Sequence, residues 1–197
     1  MSCNIVVLYY SLDGNTRRMA NQIARSITTV EGCSPVLRTV PEISPAGIPA
    51  PESIDKVQAP FVSKSDLLEA DGLIVGSPTR FGNMASPLKY FFDSTSDLWL
   101  QGALCDKPAA VFTSSSSMHG GQESTLFTMM LPLLHHGMLM VGIPYTEPAL
   151  SSTSSGGTPY GASQVSGHHT KAILTQDEKT LCSALGKRVA NIALKLK

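Results

Sequence analysis

Four short runs of almost continuous apolar residues constrain the fold of this 197-residue chain most strongly. They cover residues 5–10, 72–76, 109–112 and 138–141. A strand that is apolar on both faces is typical of a parallel sheet covered by helices on both sides, whereas a half-exposed strand alternates. A weaker run at 35–40 supplies the second of five predicted strands.

Apolar residues that recur every three or four positions predict four helices, over residues 19–27, 84–92, 124–134 and 181–196. Thr175 and Glu178 form a candidate capping box before the last of them. Because strands and helices alternate, the chain is expected to be an α/β protein with right-handed crossovers. Five strands favour a flavodoxin-like parallel sheet, order 2-1-3-4-5, with helices on both faces.

The length fits a single domain over residues 1–197, interrupted by two long excursions at 41–66 and 144–172. Fifteen basic and fifteen acidic residues cancel, which argues against a nucleic-acid partner. No apolar stretch is long enough for a transmembrane helix and no leader pattern is found, so a soluble cytoplasmic protein is expected. Four widely spaced cysteines predict free thiols, and the adjacent histidine pairs lack zinc-ligand spacing.

A polar hexapeptide follows the first predicted strand and leads into a helix. Its residues are Ser11, Leu12, Asp13, Gly14, Asn15 and Thr16. Short hydroxyl and amide side chains beside a helix N-terminus form a cradle for one phosphate group. The same residues are also preferred helix caps, and an ordinary N-capped turn remains an alternative. The absence of lysine and of the P-loop pattern argues against a nucleoside triphosphate.

Two more polar loops follow the third and fourth strands. Because the carboxyl ends of parallel strands lie at one edge of the sheet, these loops are expected to meet the hexapeptide there. The first loop contains Pro78, Thr79, Arg80, Phe81, Gly82 and Asn83, and the second contains Ser115, Ser116, Ser117, Met118, His119 and Gly120. Such loops suit a flat heteroaromatic ligand. The alternatives are a phenylalanine that packs into the core and a flexible, solvated Ser/Gly loop. Together with the phosphate cradle, the two loops indicate flavin mononucleotide (FMN) rather than a dinucleotide.

The ordered motifs YYSLDGNT, GSPTRFGNMASPLK, GGQE, HHGM and GGTPYGA resemble the WrbA family of NAD(P)H:quinone oxidoreductases along nearly the whole chain. The resemblance implies an FMN enzyme that takes two electrons from NADH or NADPH and passes them to a quinone. It also implies a homotetramer, a dimer of dimers. By the same resemblance the hexapeptide holds the FMN phosphate, His135 approaches the flavin from an assembled site, and Trp99 walls the substrate pocket.

The sequence departs from the family at two places. Asp13 stands where the family often has a tyrosine associated with the nicotinamide cofactor, and its charge would repel phosphates. The loop at 113–119 reads TSSSSMH where glycine-rich sequences are common. Other hypotheses are a one-electron flavodoxin carrier, an FMN or azo reductase of the same fold, and a flavin-binding scaffold with vestigial catalysis. The long excursions and the neutral charge favour the quinone reductase over the carrier.

Overall fold

A computed structural model describes residues 2–44, 46, 59–167 and 172–197. The middle of the first excursion and the His168–His169 pair lie outside the described residues. Within the described ranges no helix is both long and apolar enough to cross a membrane.

The strands form one sheet in which each recorded pairing is parallel. They are β1 Cys3–Tyr9, β2 Cys33–Thr39, β3 Gly72–Pro78, β4 Pro108–Ser115, β5 Leu139–Met140 and β6 Ala162–Val165. The order β2-β1-β3-β4-β5 confirms the prediction. β1 and β2 each begin two residues before the predicted run and end one residue before its end, whereas β3 and β4 extend beyond the predicted runs. The carboxyl ends of β1, β3 and β4 therefore share one edge of the sheet.

The fifth strand differs from the prediction of one continuous run at 138–141. β5 pairs only with Pro108 and Ala109, whereas β6 pairs with the second half of β4, from Phe112 to Ser115. The second excursion thus interrupts the fifth strand instead of following it. Pro144, which has no amide hydrogen to donate to a ladder, stands where the strand would continue.

The helices are α1 Asn15–Ile27, α2 Lys64–Leu68, α3 Ser86–Asp93, α4 Ser96–Leu100, α5 Gln122–His135, α6 Ala149–Ser152 and α7 Gln176–Leu196. The four predicted helices are confirmed as α1, α3, α5 and α7, while the short α2, α4 and α6 were not predicted. Pro132 lies inside α5 and does not end it. α1 and α7 cover one face of the sheet, and α3, α4 and α5 cover the other.

The predicted capping box at α7 is present, and its Glu178 also accepts hydrogen bonds from segments outside the helix. The Thr175 hydroxyl accepts a hydrogen bond from the Glu178 amide, and Glu178 Oε2 accepts one from the Thr175 amide at 2.9 Å. The fully buried Glu178 also accepts at Oε1 from the amides of Gly156 at 3.2 Å and Val165 at 3.0 Å. One carboxylate therefore holds α7, β6 and the second excursion together.

Candidate functional site

A cleft of about 210 Å³ opens at the carboxyl edge of the sheet, where the strand order reverses. Its walls come from the loops after β1, β3, β4 and β6. The lining residues are Ser11, Leu12, Asp13, Asn15, Thr16, Pro78, Thr79, Arg80, Ser114, Ser115, Ser116, Ser166 and Gly167. All three sequence-predicted loops therefore contribute to one concave site.

The first wall is the turn that leads into α1. Gly14 has φ +82°, which an L side chain rarely adopts, so the chain turns directly from β1 into the helix. The Ser11 hydroxyl accepts hydrogen bonds from the amides of Gly14 at 3.1 Å and Arg17 at 3.3 Å. Gly14, which has no side chain, is the N-cap residue of α1, so the ordinary side-chain N-cap is not formed, although the Ser11 hydroxyl accepts from the Arg17 amide in the first turn. The positive end of the helix still points at the cleft, as the phosphate alternative requires.

The floor of the cleft is lined with buried hydroxyl groups. Thr16 Oγ1 and Ser114 Oγ are 2.9 Å apart and hydrogen-bonded, which joins α1 to the end of β4. Ser166 donates to the Ser115 carbonyl at 3.0 Å, which joins the segment after β6 to the same edge. Groups that donate and accept hydrogen bonds without a charge suit a phosphate oxygen or a polyol chain.

The second wall is the tight turn after β3. The amides and carbonyls of Arg80 and Asn83 exchange hydrogen bonds at 2.8 and 3.0 Å, and both central residues have positive φ, 53° for Phe81 and 73° for Gly82. These values describe a type I′ turn, which a bulky aromatic residue rarely adopts. The Phe81 ring is fully exposed, so the alternative that places it in the core is wrong. The turn instead holds an aromatic ring in solvent beside the cleft.

The start of α5 supports this second wall. Thr125 donates to Thr79 Oγ1 at 2.8 Å, and the Thr79 amide donates to the Ser114 carbonyl at 2.8 Å. A Cβ added at Gly121 would come within 3.0 Å of the Gly82 Cα. The turn after β3 and the N-terminus of α5 are therefore packed closely.

These observations fit FMN. The α1 start and the hydroxyls of Ser11 and Thr16 form a place for one phosphomonoester. Among the described residues that line the cleft, Asp13 is the only acidic one. The exposed Phe81 and the Pro78–Arg80 backbone provide an apolar surface and polar edges for a planar ring. Among the lining residues that the structure describes there is no lysine, which is consistent with a single phosphate rather than a chain of phosphates.

Residues 3–146 match the NADPH-dependent FMN reductase family. The chain belongs to this family. Proteins named NAD(P)H dehydrogenase (quinone) from Chromohalobacter salexigens and Geobacter sulfurreducens are 42% and 40% identical to it, over 98% of each chain. A crystal structure of a flavodoxin, WrbA-like protein from Agrobacterium tumefaciens is 25% identical, with a TM-score of 0.69 and full coverage of both chains. An archaeal flavodoxin at 19% identity and a TM-score of 0.64 shares the fold. The WrbA resemblance and the flavodoxin-like fold are thereby confirmed.

Not every predicted site residue lines the cleft of this FMN reductase family protein. Those outside its lining are Gly14, Phe81, Gly82, Asn83, Ser117, Met118, His119, Gly120, Trp99 and His135. All but the last two belong to the loops that form the cleft. Three further residues line the cleft and were not predicted from the sequence: Ser114, Ser166 and Gly167. Ser114 belongs to the serine tract, but the place of Ser166 depends on the pairing of β6 with β4, which no local pattern shows.

Trp99 and His135 lie together in a second groove, of about 540 Å³. It runs between α3, α4 and the C-terminal end of α5 and is lined also by Asn83, Met84, Lys89, Phe92, Asp93, Thr95, Ser96, Thr128, Leu131, Pro132 and His136. Within one chain these two residues therefore share a surface with each other and not with the cleft.

His136 is buried in the wall of this second groove. Thr95 Oγ1 donates to the Phe92 carbonyl at 2.7 Å, so it accepts from His136 Nε2 at 2.9 Å, and the proton of the neutral ring is on Nε2. In the described part of the chain, the buried Nδ1 has no hydrogen-bond partner. Burial, with a smaller contribution from His135, lowers the pKa of His136 below its usual value of 6.5.

This lowered pKa predicts a stability that falls as the solution becomes acidic. Below pH 6.5 the unfolded chain binds a proton that the folded His136 resists, so the free energy of unfolding decreases as pH falls, by at most about 1.4 kcal/mol per pH unit. Urea unfolding of the wild type and of His136→Gln between pH 7.5 and 5.0 measures the effect. Glutamine keeps a donor for Thr95 and does not titrate, so the free energy of unfolding of the variant should depend less on pH. The same pH dependence in both proteins would show that His136 is not the group responsible.

Proposed function

We propose that this chain is an FMN-dependent oxidoreductase that transfers two electrons from NADH or NADPH to a quinone and produces a hydroquinone. The observation that carries the proposal is the cleft at the switch point, which is built from a helix N-terminus and buried hydroxyls and has an exposed aromatic turn beside it. Family membership and the full-length relatives named NAD(P)H dehydrogenase (quinone) support the same reaction.

The residues of the cleft and of the adjoining turn at Phe81 divide into three parts under this proposal. Ser11, Thr16 and the first amides of α1 hold the phosphate, and the hydroxyls of Ser114, Ser115 and Ser166 face the polyol chain. Pro78, Thr79, Arg80 and Phe81 position the ring and shield one of its edges from water. When bound, FMN supplies the two-electron chemistry, and the protein supplies orientation and hydrogen bonds.

The direct test is an anaerobic titration of the purified, FMN-loaded protein with NADH and NADPH, followed by benzoquinone. We expect the visible flavin absorbance to bleach with the nicotinamide and to recover stoichiometrically with the quinone. A protein that binds no FMN would contradict the whole proposal. A protein that binds FMN but is not reduced by either nicotinamide would instead be a one-electron carrier.

An FMN or azo reductase is the second candidate function, and the family description itself favours it. Free FMN, an azo dye and benzoquinone compete for the same reduced enzyme, so their kcat/KM values separate the two activities. The quinone reductase proposal requires benzoquinone to be the best of the three acceptors.

We further propose that the single domain assembles into a homotetramer, a dimer of dimers, in the cytoplasm. The outer face of α5 exposes Phe127, Leu131 and Leu134, and the Phe127 ring packs against the exposed Tyr160 ring, with centroids 4.7 Å apart. Apolar surface of this kind is typical of an interface between copies. Sedimentation equilibrium of the wild type and of Leu131→Glu tests the assembly, since a charge on this face should dissociate it.

His135 is expected to act at the cleft of another subunit, where it would polarise the bound quinone. We expect His135→Ala to lower kcat/KM for benzoquinone by about 10-fold, because the net contribution of one hydrogen bond is about 1 kcal/mol. Reduction of the flavin by the nicotinamide should be unchanged. Stopped-flow measurement of the two half-reactions separates these effects. Full quinone turnover in the variant would exclude the role.

Asp13 is expected to weaken nicotinamide binding because its carboxylate lines the cleft and repels the phosphates of the donor. Asp13→Asn should lower KM for NADH and NADPH about 3-fold at low ionic strength, and the gain should vanish in high salt. Asp106→Asn, an exposed acid before β4, provides the matched control. A gain of the same size at every salt concentration would point to a contact other than charge repulsion.

A further inference from the structure

Cys3 and Cys33 lie directly opposite each other in the sheet, although 30 positions separate them in the sequence. Cys3 is the first residue of β1, Cys33 is the first residue of β2, and the parallel register pairs them. Cys3 belongs to the core cluster beneath α1 and α7, and the partly buried Cys33 packs against that cluster, so both side chains point to the same face. The spacing of the cysteines along the chain gives no sign of this pair.

The two thiols are in contact but differ in exposure. Burial, and then a hydrogen bond with Cys33, raise the pKa of the Cys3 thiol to about 12. Cys33 is only partly buried, because β2 is the edge strand of the sheet, and its Sγ donates to the Ala190 carbonyl at 3.7 Å. An oxidant from solvent therefore meets Cys33 first and finds Cys3 behind it.

We propose that Cys3 and Cys33 are a modification site, at which a peroxide converts the two thiols into a reversible disulfide. Neighbouring strands are about 4.8 Å apart, which lies within the Cα–Cα range of about 4.4–6.8 Å that disulfides span. The Cβ atoms must approach each other slightly. The Cys3 amide donates to the Gly32 carbonyl at 2.7 Å and the Cys33 amide donates to the Val30 carbonyl at 3.1 Å, so the backbone is held in place and the approach requires a shift of the start of each strand.

The reaction balances with one molecule of peroxide. The Cys33 sulfur attacks a peroxide oxygen, the O–O bond breaks, and Cys33 becomes a sulfenic acid while one water is released. The Cys3 sulfur then attacks the Cys33 sulfur, which forms the S–S bond and releases a second water. Two thiols lose two electrons and two protons, and hydrogen peroxide is reduced to two waters.

The pair is at the opposite end of the sheet from the cleft. Cys3 and Cys33 begin β1 and β2, whereas the cleft residues follow the carboxyl ends of the strands. The disulfide would fasten the edge strand β2 to the centre of the sheet without changing a residue that lines the cleft. Its expected effect is therefore on stability and not on turnover, and the inference is independent of the proposed function.

The test uses the full-length, FMN-loaded protein treated with hydrogen peroxide. Remaining thiols are blocked after denaturation, and peptides are mapped by mass spectrometry without reduction. We expect peptides joined through Cys3 and Cys33, a fall from four free thiols to two, and a rise in Tm of about 5–10 °C that dithiothreitol reverses. Cys105→Ser, which removes an exposed thiol, should leave the link intact, whereas Cys33→Ser should abolish it.

Two results would overturn the proposal. One is oxidation of Cys33 to the sulfinic or sulfonic acid in the wild type without any link to Cys3. The other is a Cys33–Cys105 link as abundant as the Cys3–Cys33 link, which would indicate exchange in unfolded chains. Both are read from the wild type, so poor folding of a variant would not obscure them.

Discussion

Replacing Asn15 by aspartate is expected to weaken FMN binding by about 100-fold or more. Asn15 lines the cleft at the first position of α1, where the FMN phosphate is proposed to lie. A carboxylate there would face a phosphate dianion across a partly buried cleft, and repulsion of this kind costs a few kcal/mol. The fold should tolerate the change, because Arg18 donates to Asn15 Oδ1 and an acidic residue favours a helix N-terminus.

The ligand itself offers the control for this prediction. Riboflavin has the same ring and polyol chain without the phosphate, so Asn15→Asp should bind it as well as the wild type does. Asn191→Asp, on the exposed surface of α7, adds the same charge far from the cleft and should leave both affinities unchanged. Fluorescence titration gives the dissociation constants. An equal loss of riboflavin and FMN would place the phosphate elsewhere.

Replacing Glu178 by glutamine is expected to reduce the free energy of unfolding by about 2–4 kcal/mol. The buried carboxylate accepts backbone hydrogen bonds from Thr175, Gly156 and Val165. A glutamine presents an NH₂ group to at least one of these amides, so a buried donor is left without an acceptor and the charge assistance is lost. For a chain of this length, the loss corresponds to a fall in Tm of roughly 5–15 °C.

Asp177→Asn is the matched control, since Asp177 is in the same first turn of α7. It removes the same charge from the helix N-terminus but no contact to β6 or the second excursion, and should cost less than about 1 kcal/mol. Chemical unfolding of both variants measures the difference. Equal losses would show that the charge at the helix N-terminus, rather than the buried carboxylate, sets the stability.

Much of the fold is predictable from the sequence because burial leaves a local pattern. Residues 72–76 are apolar on both faces of the strand. This pattern predicts a parallel strand in the centre of the sheet, where helices cover both faces. The stripe beginning at Met19 required a helix with one face on the sheet. Once the strands were ordered, the topology alone brought the loops of Ser11, Thr79 and Ser115 to one edge.

The parts of the structure that the sequence does not predict depend on pairings between distant segments. Residues 162–165 are too short and too polar to be identified as a strand, and only their pairing with the end of β4 places Ser166 beside the cleft. The separation of His135 from the cleft likewise follows from the position of the C-terminal end of α5 relative to β4.

The α/β class, the strand order, the main helices and the character of the three loops are therefore predictable from the residues alone, because side-chain periodicity and turn residues act within a few positions. Three features are visible only in the folded chain: the fifth strand is split, Glu178 joins three segments, and Cys3 faces Cys33. Each of these features depends on the register between segments far apart in the chain. That register is set by the packing of the whole core and leaves no local pattern.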